Sequence, residues 1–312
     1  AIDIIPLQET SVAETLAAAG WSTVGVAANY NVGPELGLDR GLEHFGKARS
    51  NSDASRFSHV LAGFPAPDTR PRFTYLHYND GHKPRSCRKP PCEGPVSIYD
   101  SELTHLDGYL AEDLDRLRAQ AAARQRDLII VVTSDHGELF GEYGLRGHPV
   151  VLWHPLQHVL MMVQVPGVAP RVSTARVSVV DVAPTLLDLS GLPHEGLDGV
   201  SLAPALTGEG PSDDRALFAH RADVERWDLD HLWAVVQGDH KLIALPNHRH
   251  LHMADQAEVP GQGIQDPTRE AELASLLKGH RASGRAASPQ LVDLTEEVVE
   301  NMRAMGYIEK RL

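Results

Sequence analysis

The stretch "VVTSDHGELFGEYG", Val131 to Gly144, decides how the chain is read. The run just before it, Asp127 to Val132, is Asp-Leu-Ile-Ile-Val-Val and has the composition of a strand covered on both faces. It stops at Ser-Asp-His-Gly, so Asp135 and His136 stand where the strand leaves the sheet. Adjacent side chains of a strand point to opposite faces, and these two can converge only once the strand has ended. Gly137 permits a sharp turn there. A carboxylate in such a place needs a partner, because burying it alone is costly. Two readings are open: a carboxylate–imidazole couple that holds a divalent cation, or an aspartate that fixes a loop by accepting backbone N–H bonds.

Upstream, Thr10 is positioned to cap a helix through "SVAETLAAAG", with its stop at Gly20 and the strand "WSTVGVAAN" after it. Gly33 to Pro71, rich in Gly, Pro, Asp and Ser, reads as a long surface excursion, and "RFTYLHYN" (Arg72 to Asn79) as the next strand. Between Val96 and Gln125, Ile98, Leu103, Leu106, Leu110, Leu114 and Leu117 recur at helical steps, which predicts a long amphipathic helix with its acids on the solvated face. Downstream, "QHVLMMVQVPG" reads as a further buried strand and "DVAPTLLDLSG" as a helix ending at Gly191. After Asp214 the short segments "ALFAH", "LWAVVQG", "HKLIALP" and "RHLHMAD" predict antiparallel strands. Closing helices are expected near Thr268 to His280 and from Leu291 to Met305. Helix and strand alternate at spacings that give an α/β fold with a mostly parallel sheet flanked by helices, in a domain over 1–210. A smaller antiparallel α+β subdomain follows over 211–312.

The formal charge of −13 over 312 residues, without a basic run long enough to form a nucleic-acid patch, argues against nucleic acid as a partner. No apolar stretch is long enough to span a membrane. The chain starts at Ala1 with no leader, so its compartment is not written in it. Cys87 and Cys92 lie in "PRSCRKPPCEGP" and are compatible either with a local disulfide or with two free thiols.

A second strand end carries ionisable residues: "LHYNDGHKP" brings His77, Asp80 and His82 to the rim where parallel sheets bind ligands. Taken together, the segments resemble the sulfatase family of the alkaline-phosphatase-like superfamily. "TLAAAGWSTVGVAAN" is similar to its helix and strand after the nucleophile region. "LHYNDGHKP" resembles its Asp-Pro-His-x-Pro signature, with Gly81 in place of proline. "YDSELTHLD" (Tyr99 to Asp107), "VVTSDHGELFGEYG", "VVDVAPTLLDLSGLP" with "LDGVSLAPALTG", and "NMRAMGYI" resemble further family segments in the same order.

The resemblance implies sulfuric ester hydrolysis with a divalent cation, usually calcium, and a sulfate ester of a small molecule or glycan as substrate. Asp135 and His136 match cation-binding positions. His82 matches the histidine that serves the leaving group, and His148 falls where many members place a Lys or His over the sulfate. A hard cation polarises an ester oxygen, and an imidazole suits proton transfer near neutral pH. Members are often exported, and a Cys87–Cys92 bridge would suit a periplasmic or extracellular setting.

The departures are specific. Neither cysteine is followed by Pro and Arg as in Cys-x-Pro-x-Arg, the motif that matures to formylglycine, and Asp3 has no partner acid beside it. The family's first strands, with the nucleophile, are therefore expected upstream of Ala1. In place of a Gly-Lys-Trp-His segment, "ANYNVG" offers Asn29 and Asn31, as neutral donors to the substrate or as an ordinary turn. "LWHPLQHV" gives His154 and His158 no familial role, and "NHRHLHM" would put His248, His250 and His252 on one strand face. Three functions are in contention. They are sulfatase action by the parent protein, phosphoester or phosphonate hydrolysis or phosphoglycerol transfer on the same frame, and a truncated or degenerate copy without activity.

Overall fold

The computed structural model describes residues 2–4, 10–29, 32–48, 54–83, 85–149, 151–212, 214–221, 232–245, 248–256, 258, 263–283, 290–292 and 296. Contacts divide the chain into two compact units, Ala1–Leu128 with Ala287–Leu312, and Ile129–Ala286. No helix among the described residues is long and apolar enough to cross a membrane.

In the first unit, β1 (Ile2–Ile4) precedes α1 (Val12–Ala18). Ser11, not Thr10, caps α1: its hydroxyl accepts from Glu14 N and Glu14 returns a bond to Ser11 N, a reciprocal capping box. The sequence offers two adjacent hydroxyls, and only Ser11 has an acid three residues on. β2 (Ser22–Ala27) follows and is buried along its whole length. The expected surface excursion instead contains β3 (His44–Lys47) and α2 (Ser55–Ala62). β3 joins β2 in parallel, and Phe57 of α2 is fully buried with Val26, Ala28 and Ala48. β4 (Arg72–His77) pairs with the other edge of β2, also in parallel, giving the order β3-β2-β4.

α3 (Gly94–Ala123) is the long helix expected, but its buried residues are Ser101, Glu102 and Asp113, not its leucines. The reading of its acids as a solvated face holds for Asp100, Asp107, Glu112 and Asp115 and is corrected for Glu102 and Asp113, which are buried. Asp113 accepts from Ser58 Oγ at 2.6 Å and Tyr78 Oη at 2.7 Å, so it ties α3 to α2 and to the end of β4. Burial, then the bond to Asp113, pushes the Tyr78 phenol up from its ordinary pKa.

The second unit opens with β5 (Ile130–Thr133), shorter than the apolar run, followed by the hairpin β6 (Leu139–Phe140) and β7 (Arg146–Gly147). After the short α4 (His154–Gln157), β8 (Met161–Gln164) pairs antiparallel with β5. Neither strand is buried on both faces: β5 is half-exposed along its length, and Met162 of β8 is 52% exposed. An apolar run reports that a segment prefers cover, not how many faces receive it.

α5 (Val182–Leu189) and α6 (Ala203–Thr207) come next. Leu202 N, at the start of α6, donates to Thr185 Oγ1 of α5 at 2.8 Å, and Asp181, fully buried, accepts from the N–H groups of Ser178 and Val200 and from both terminal nitrogens of Arg215. Gly199 is required by contact, because a Cβ there would lie 2.1 Å from the Val180 carbonyl oxygen. The four strands expected after Asp214 are present as β9 (Leu217–Arg221), β10 (Leu232–Gln237), β11 (His240–Ala244) and β12 (Arg249–Met253). They form one antiparallel sheet in the order β12-β11-β10-β9. α7 (Pro267–Ala282) packs Leu273 and Leu277 against Val235, Leu242 and Leu251 of that sheet. The chain ends its described course in β13 (Gln290–Val292), antiparallel to β1. Leu291 and Val292 are thus strand residues, and most of the helix expected to Met305 lies outside the described residues.

Burial pushes the Asp181 carboxyl up, but its bonds to Arg215 and the two backbone amides outweigh this and hold its pKa below the ordinary value. A depressed folded-state pKa means that this stabilisation is present above the ordinary carboxylate range and is lost as pH falls through the depressed value. Arg215→Ala leaves a buried carboxylate without its counter-charge and is expected to cost about 3–5 kcal/mol at neutral pH. Urea denaturation followed from pH 7 down to pH 3 should show the wild-type advantage shrinking at the acid end.

Candidate active site

In the first unit, parallel register builds the rim. Ala27 of β2 pairs with His77 of β4, so Asn29 and Asn79, each two residues further on, leave the sheet side by side. Asn29 Nδ2 donates to Asn79 Oδ1 at 3.4 Å, and both residues are buried. Asn31 lies outside the described residues.

From Asn79 the chain turns tightly, with His82 N donating to Asn79 O at 3.0 Å. His82 Nδ1 is 2.6 Å from the Lys83 carbonyl oxygen, which can only accept, so in this contact Nδ1 carries a proton and donates it. Between them, Asp80 is fully buried. Its Oδ1 accepts from Ala54 N, the residue that opens α2, at 3.1 Å, and Oδ2 finds no donor among the described residues. Burial above all raises the Asp80 pKa, against the bond from Ala54.

The loop after His82 is fixed to α3. Glu102, fully buried, accepts from Ser86 N, Ser86 Oγ and Arg88 Nε at 2.7, 3.0 and 2.8 Å. Ser101 Oγ accepts from the N–H groups of Arg88 and Lys89, both at 2.9 Å. Cys87 and Cys92 form a disulfide, which resolves the choice that the sequence left open.

In the second unit, the turn after β5 is built from its own side chains. Asp135 Oδ1 accepts from His136 N at 2.9 Å, and Ser134 Oγ donates to His136 O at 2.6 Å. Gly137 is needed for close approach rather than for a turn, since a Cβ there would stand 2.0 Å from the Pro155 carbonyl oxygen. The β6–β7 hairpin pairs Leu139 with Gly147, which sets Glu138 opposite His148. His148 Nδ1 is 3.3 Å from Glu138 Oε2, and its ring centroid is 4.6 Å from that of His136. Asp135 Oδ2 is 3.6 Å from His136 Nε2. The structure therefore brings Asp135, His136 and His148 together and adds Glu138, which sequence reading passed over.

The segment after His148 is docked on the antiparallel sheet. Leu152 packs with Leu232, Ala234 and Ile243, and His154 N donates to both oxygens of Glu258. Glu258 pairs with Lys241 at 2.6 Å, both fully buried. His154 is half-buried and stacks on His158 at 4.8 Å, so it is not a plain surface residue. The rings of His248, His250 and His252 run side by side, with centroids 5.0 and 6.1 Å apart.

Among the described residues, no group of three or more His, Cys, Asp or Glu is arranged to hold a metal ion. Calcium takes about six to eight oxygen ligands. Asp135, with its side chain 75% exposed, can supply oxygen to such a shell, whereas His136 offers ring nitrogen alone, so the pair fits a divalent cation only in part and does not complete a calcium shell.

With a parallel sheet in the first unit and an antiparallel sheet in the second, the chain is an α/β protein, and its fold is alkaline-phosphatase-like. The sulfatase family model matches residues 4–192, and the chain belongs to that family. A choline-sulfatase of Rhizobium meliloti (strain 1021) is 34% identical over 114 residues, 35% of this chain and 22% of that protein. Arylsulfatase A of Bos taurus is 31% identical over 148 residues, 46% of this chain and 25% of that protein. The matched stretches thus span a quarter or less of those two relatives. Among solved structures, the phosphonate monoester hydrolase SpPMH from Silicibacter pomeroyi has a TM-score of 0.65 at 18% identity, covering 94% of this chain and 84% of that one. BT4656, in complex with its substrate D-glucosamine-2-N,6-O-disulfate, has a TM-score of 0.68 at 14% identity, covering 92% and 84%. At such identities the likeness is one of fold.

Gly137→Ala is expected to lower stability by about 1–3 kcal/mol, read as a fall in Tm, because Pro155 adjoins Leu156, which accepts from Gly137 N and donates to Trp153 O. Asp80→Asn keeps an acceptor for Ala54 N and removes the ionisable group. A raised folded-state pKa means that stability is full below the ordinary carboxylate value and is lost as pH rises through the raised one. The variant should therefore gain Tm over wild type at neutral pH, with the gain vanishing near pH 4; a difference that does not change with pH would exclude Asp80 titration as its source.

Proposed function

We propose that the parent protein hydrolyses sulfate esters, with its nucleophile, a formylglycine, in sequence preceding these residues. The convergence of Asp135, His136 and His148, with two imidazoles 4.6 Å apart, carries this reading. Asp135 and His136 would hold part of a divalent cation's shell, and the cation, when bound, would polarise a sulfate oxygen. His148 lies beside them with Glu138 against its Nδ1, an arrangement that presents Nε2 to an oxyanion.

His82 supplies the proton. Its Nδ1 is committed to the Lys83 carbonyl, so the imidazolium holds its transferable proton on Nε2. As sulfur bonds to the nucleophile and its S–O bond to the alcohol breaks, that proton passes to the departing oxygen, and the neutral imidazole is reprotonated before the next turnover. Asn29, bonded to Asn79, contributes by fixing the strand ends from which the His82 turn starts. Because "ANYNVG" brings amides where many sulfatases bring Lys and His, hydrolysis of a singly charged phosphonate monoester is the second reading.

Paired assays of the parent chain on an aryl sulfate and an aryl phosphonate monoester separate the two. The sulfate should be the better substrate, and the reverse order would favour phosphorus chemistry. His82→Ala should lower kcat by about 100-fold or more with little change in Tm. Asp135→Asn should remove calcium-dependent thermal protection; an unaltered calcium shift would take Asp135 out of the cation site. The 312 residues alone should not turn over an aryl sulfate.

A further inference from the structure

A cavity of about 250 Å³ in the first unit is lined by residues of β2, β4, α2 and α3. Parallel register pairs Ser22 with Arg72 and Val24 with Thr74, so these four side chains stand on one face of the sheet. Val24, Leu61, Phe64 and Leu117 give the cavity apolar walls. Its polar lining is Arg72, Thr74, Arg116 and Gln120, and no acid is among the described residues that line it. Arg116 and Gln120, four residues apart on α3, share one face of that helix. Arg72 opens β4 and His77 closes it, so the cavity lies at the amino end of the strands, opposite the rim that carries Asn79 and His82.

Both guanidinium groups keep spare N–H donors. Arg72 Nε donates to Ser22 Oγ at 3.2 Å, and its two terminal nitrogens both donate to one carbonyl, Pro65 O, at 3.3 Å. Each terminal nitrogen carries a further N–H without a partner among the described residues. Arg116 Nη1 donates to Ser58 O at 3.1 Å and stands 3.5 Å from Asp113 Oδ1, an oxygen that already accepts from Ser58 Oγ. Its Nε and Nη2 have no partner among the described residues. The carboxylates whose charge reaches Arg72, those of Glu43 and Asp68, are bonded to Arg70. Burial, then the like charge of Arg124, pushes the Arg72 pKa down, as expected of a cation short of counter-charge. We propose that this cavity binds a small organic anion, with an apolar body against Val24, Phe64 and Leu117 and a carboxylate or sulfonate head on Arg72 and Arg116. The planar fork of arginine suits such a head, and a concave, mainly apolar wall with a few polar groups is the usual form of a ligand site. Drug-sized molecules fill about 300–1,000 Å³, so this smaller volume limits the body to about one ring. Lying at the other end of the strands, the site is independent of the ester chemistry proposed above.

Calorimetric titration of the 312-residue chain tests it with four probes: benzoate, benzenesulfonate, benzamide and acetate. At least one of the two aryl anions should bind about tenfold tighter than benzamide, which has the ring without the charge, and than acetate, which has the charge without the ring. Whichever aryl anion binds tighter identifies the head as carboxylate or sulfonate. Arg116→Gln should weaken that binding about tenfold with Tm retained, since its side chain holds only one backbone carbonyl and an acid that has other donors. Arg72→Gln should weaken it as much, and if that variant does not fold, Arg116→Gln decides. An aryl anion held instead at the candidate active site would lose affinity in His148→Ala, a variant that leaves the cavity untouched. Benzamide or acetate binding as tightly as both aryl anions would overturn the site. So would affinity unchanged by Arg116→Gln, affinity lost in His148→Ala, or no binding of either aryl anion.

Discussion

A carboxylate taken out of water must recover its hydrogen bonds from the protein, and the loops of this structure are arranged to supply them. Glu102, Asp113, Asp181 and Glu258 have no more than about one per cent exposure. Each gathers donors from segments far apart in sequence: the loop at Ser86 and Arg88 for Glu102, Ser58 and Tyr78 for Asp113, Val200 and Arg215 for Asp181, His154 and Lys241 for Glu258. Removing one donor leaves a desolvated charge, so each carboxylate acts as a peg whose loops cannot drift without a large penalty. Two of these pegs hold the segments to which chemistry is assigned above as a proposal. Glu102 fixes the loop after His82, and Glu258 fixes the segment after His148.

These pegs explain which parts of the molecule were legible beforehand. Strands and helices announce themselves through period and capping, so β2, β4, α5 and the antiparallel strands after Asp214 stand where pattern puts them. The register of β2 with β4 then follows from parallel pairing, and with it the meeting of Asn29 and Asn79. A buried acid looks in sequence like an exposed one. The leucines of α3 repeat at helical steps, which suggests an apolar face, yet the helix buries Ser101, Glu102 and Asp113 because the loop and β4 bring donors to that side. Nothing local to the helix encodes those donors. The stretch from Gly33 to Pro71 was opaque for a related reason: β3 and α2 are short, and their cover comes from β2 and Phe64 across the core.

The site itself was legible in part. Residue type and position at strand ends single out His82, Asp135 and His136, and the family resemblance adds His148, but pairing decides which of them meet. His148 reaches His136 because a two-residue ladder, Leu139 with Gly147 and Phe140 with Arg146, folds the chain back on itself. The same ladder delivers Glu138 to His148, a contact ten residues apart in sequence that composition does not disclose. Glycines are similar: Gly137 reads as a turn former, and the structure assigns it instead to the approach of the Pro155 carbonyl.

Asp80 departs from the rule the other buried acids obey. It is as deeply buried as they are, yet one oxygen is bonded to Ala54 N and the other finds no donor among the described residues. Two arguments bear on why an acid stays there. Ala54 N opens α2, and an acidic acceptor at a helix N-terminus interacts favourably with the helix dipole as well as satisfying an orphan amide. The same residue starts the Asp80-Gly81-His82 turn, so whatever fixes Asp80 also fixes the backbone that aims the imidazole. A fully paired carboxylate would hold the loop with less cost, and the incomplete pairing two residues from His82, the proposed proton donor, is the kind of local inconsistency expected where position matters more than stability. Among the described residues the four pegs are saturated, and Asp80, two residues from the proposed proton donor, is not.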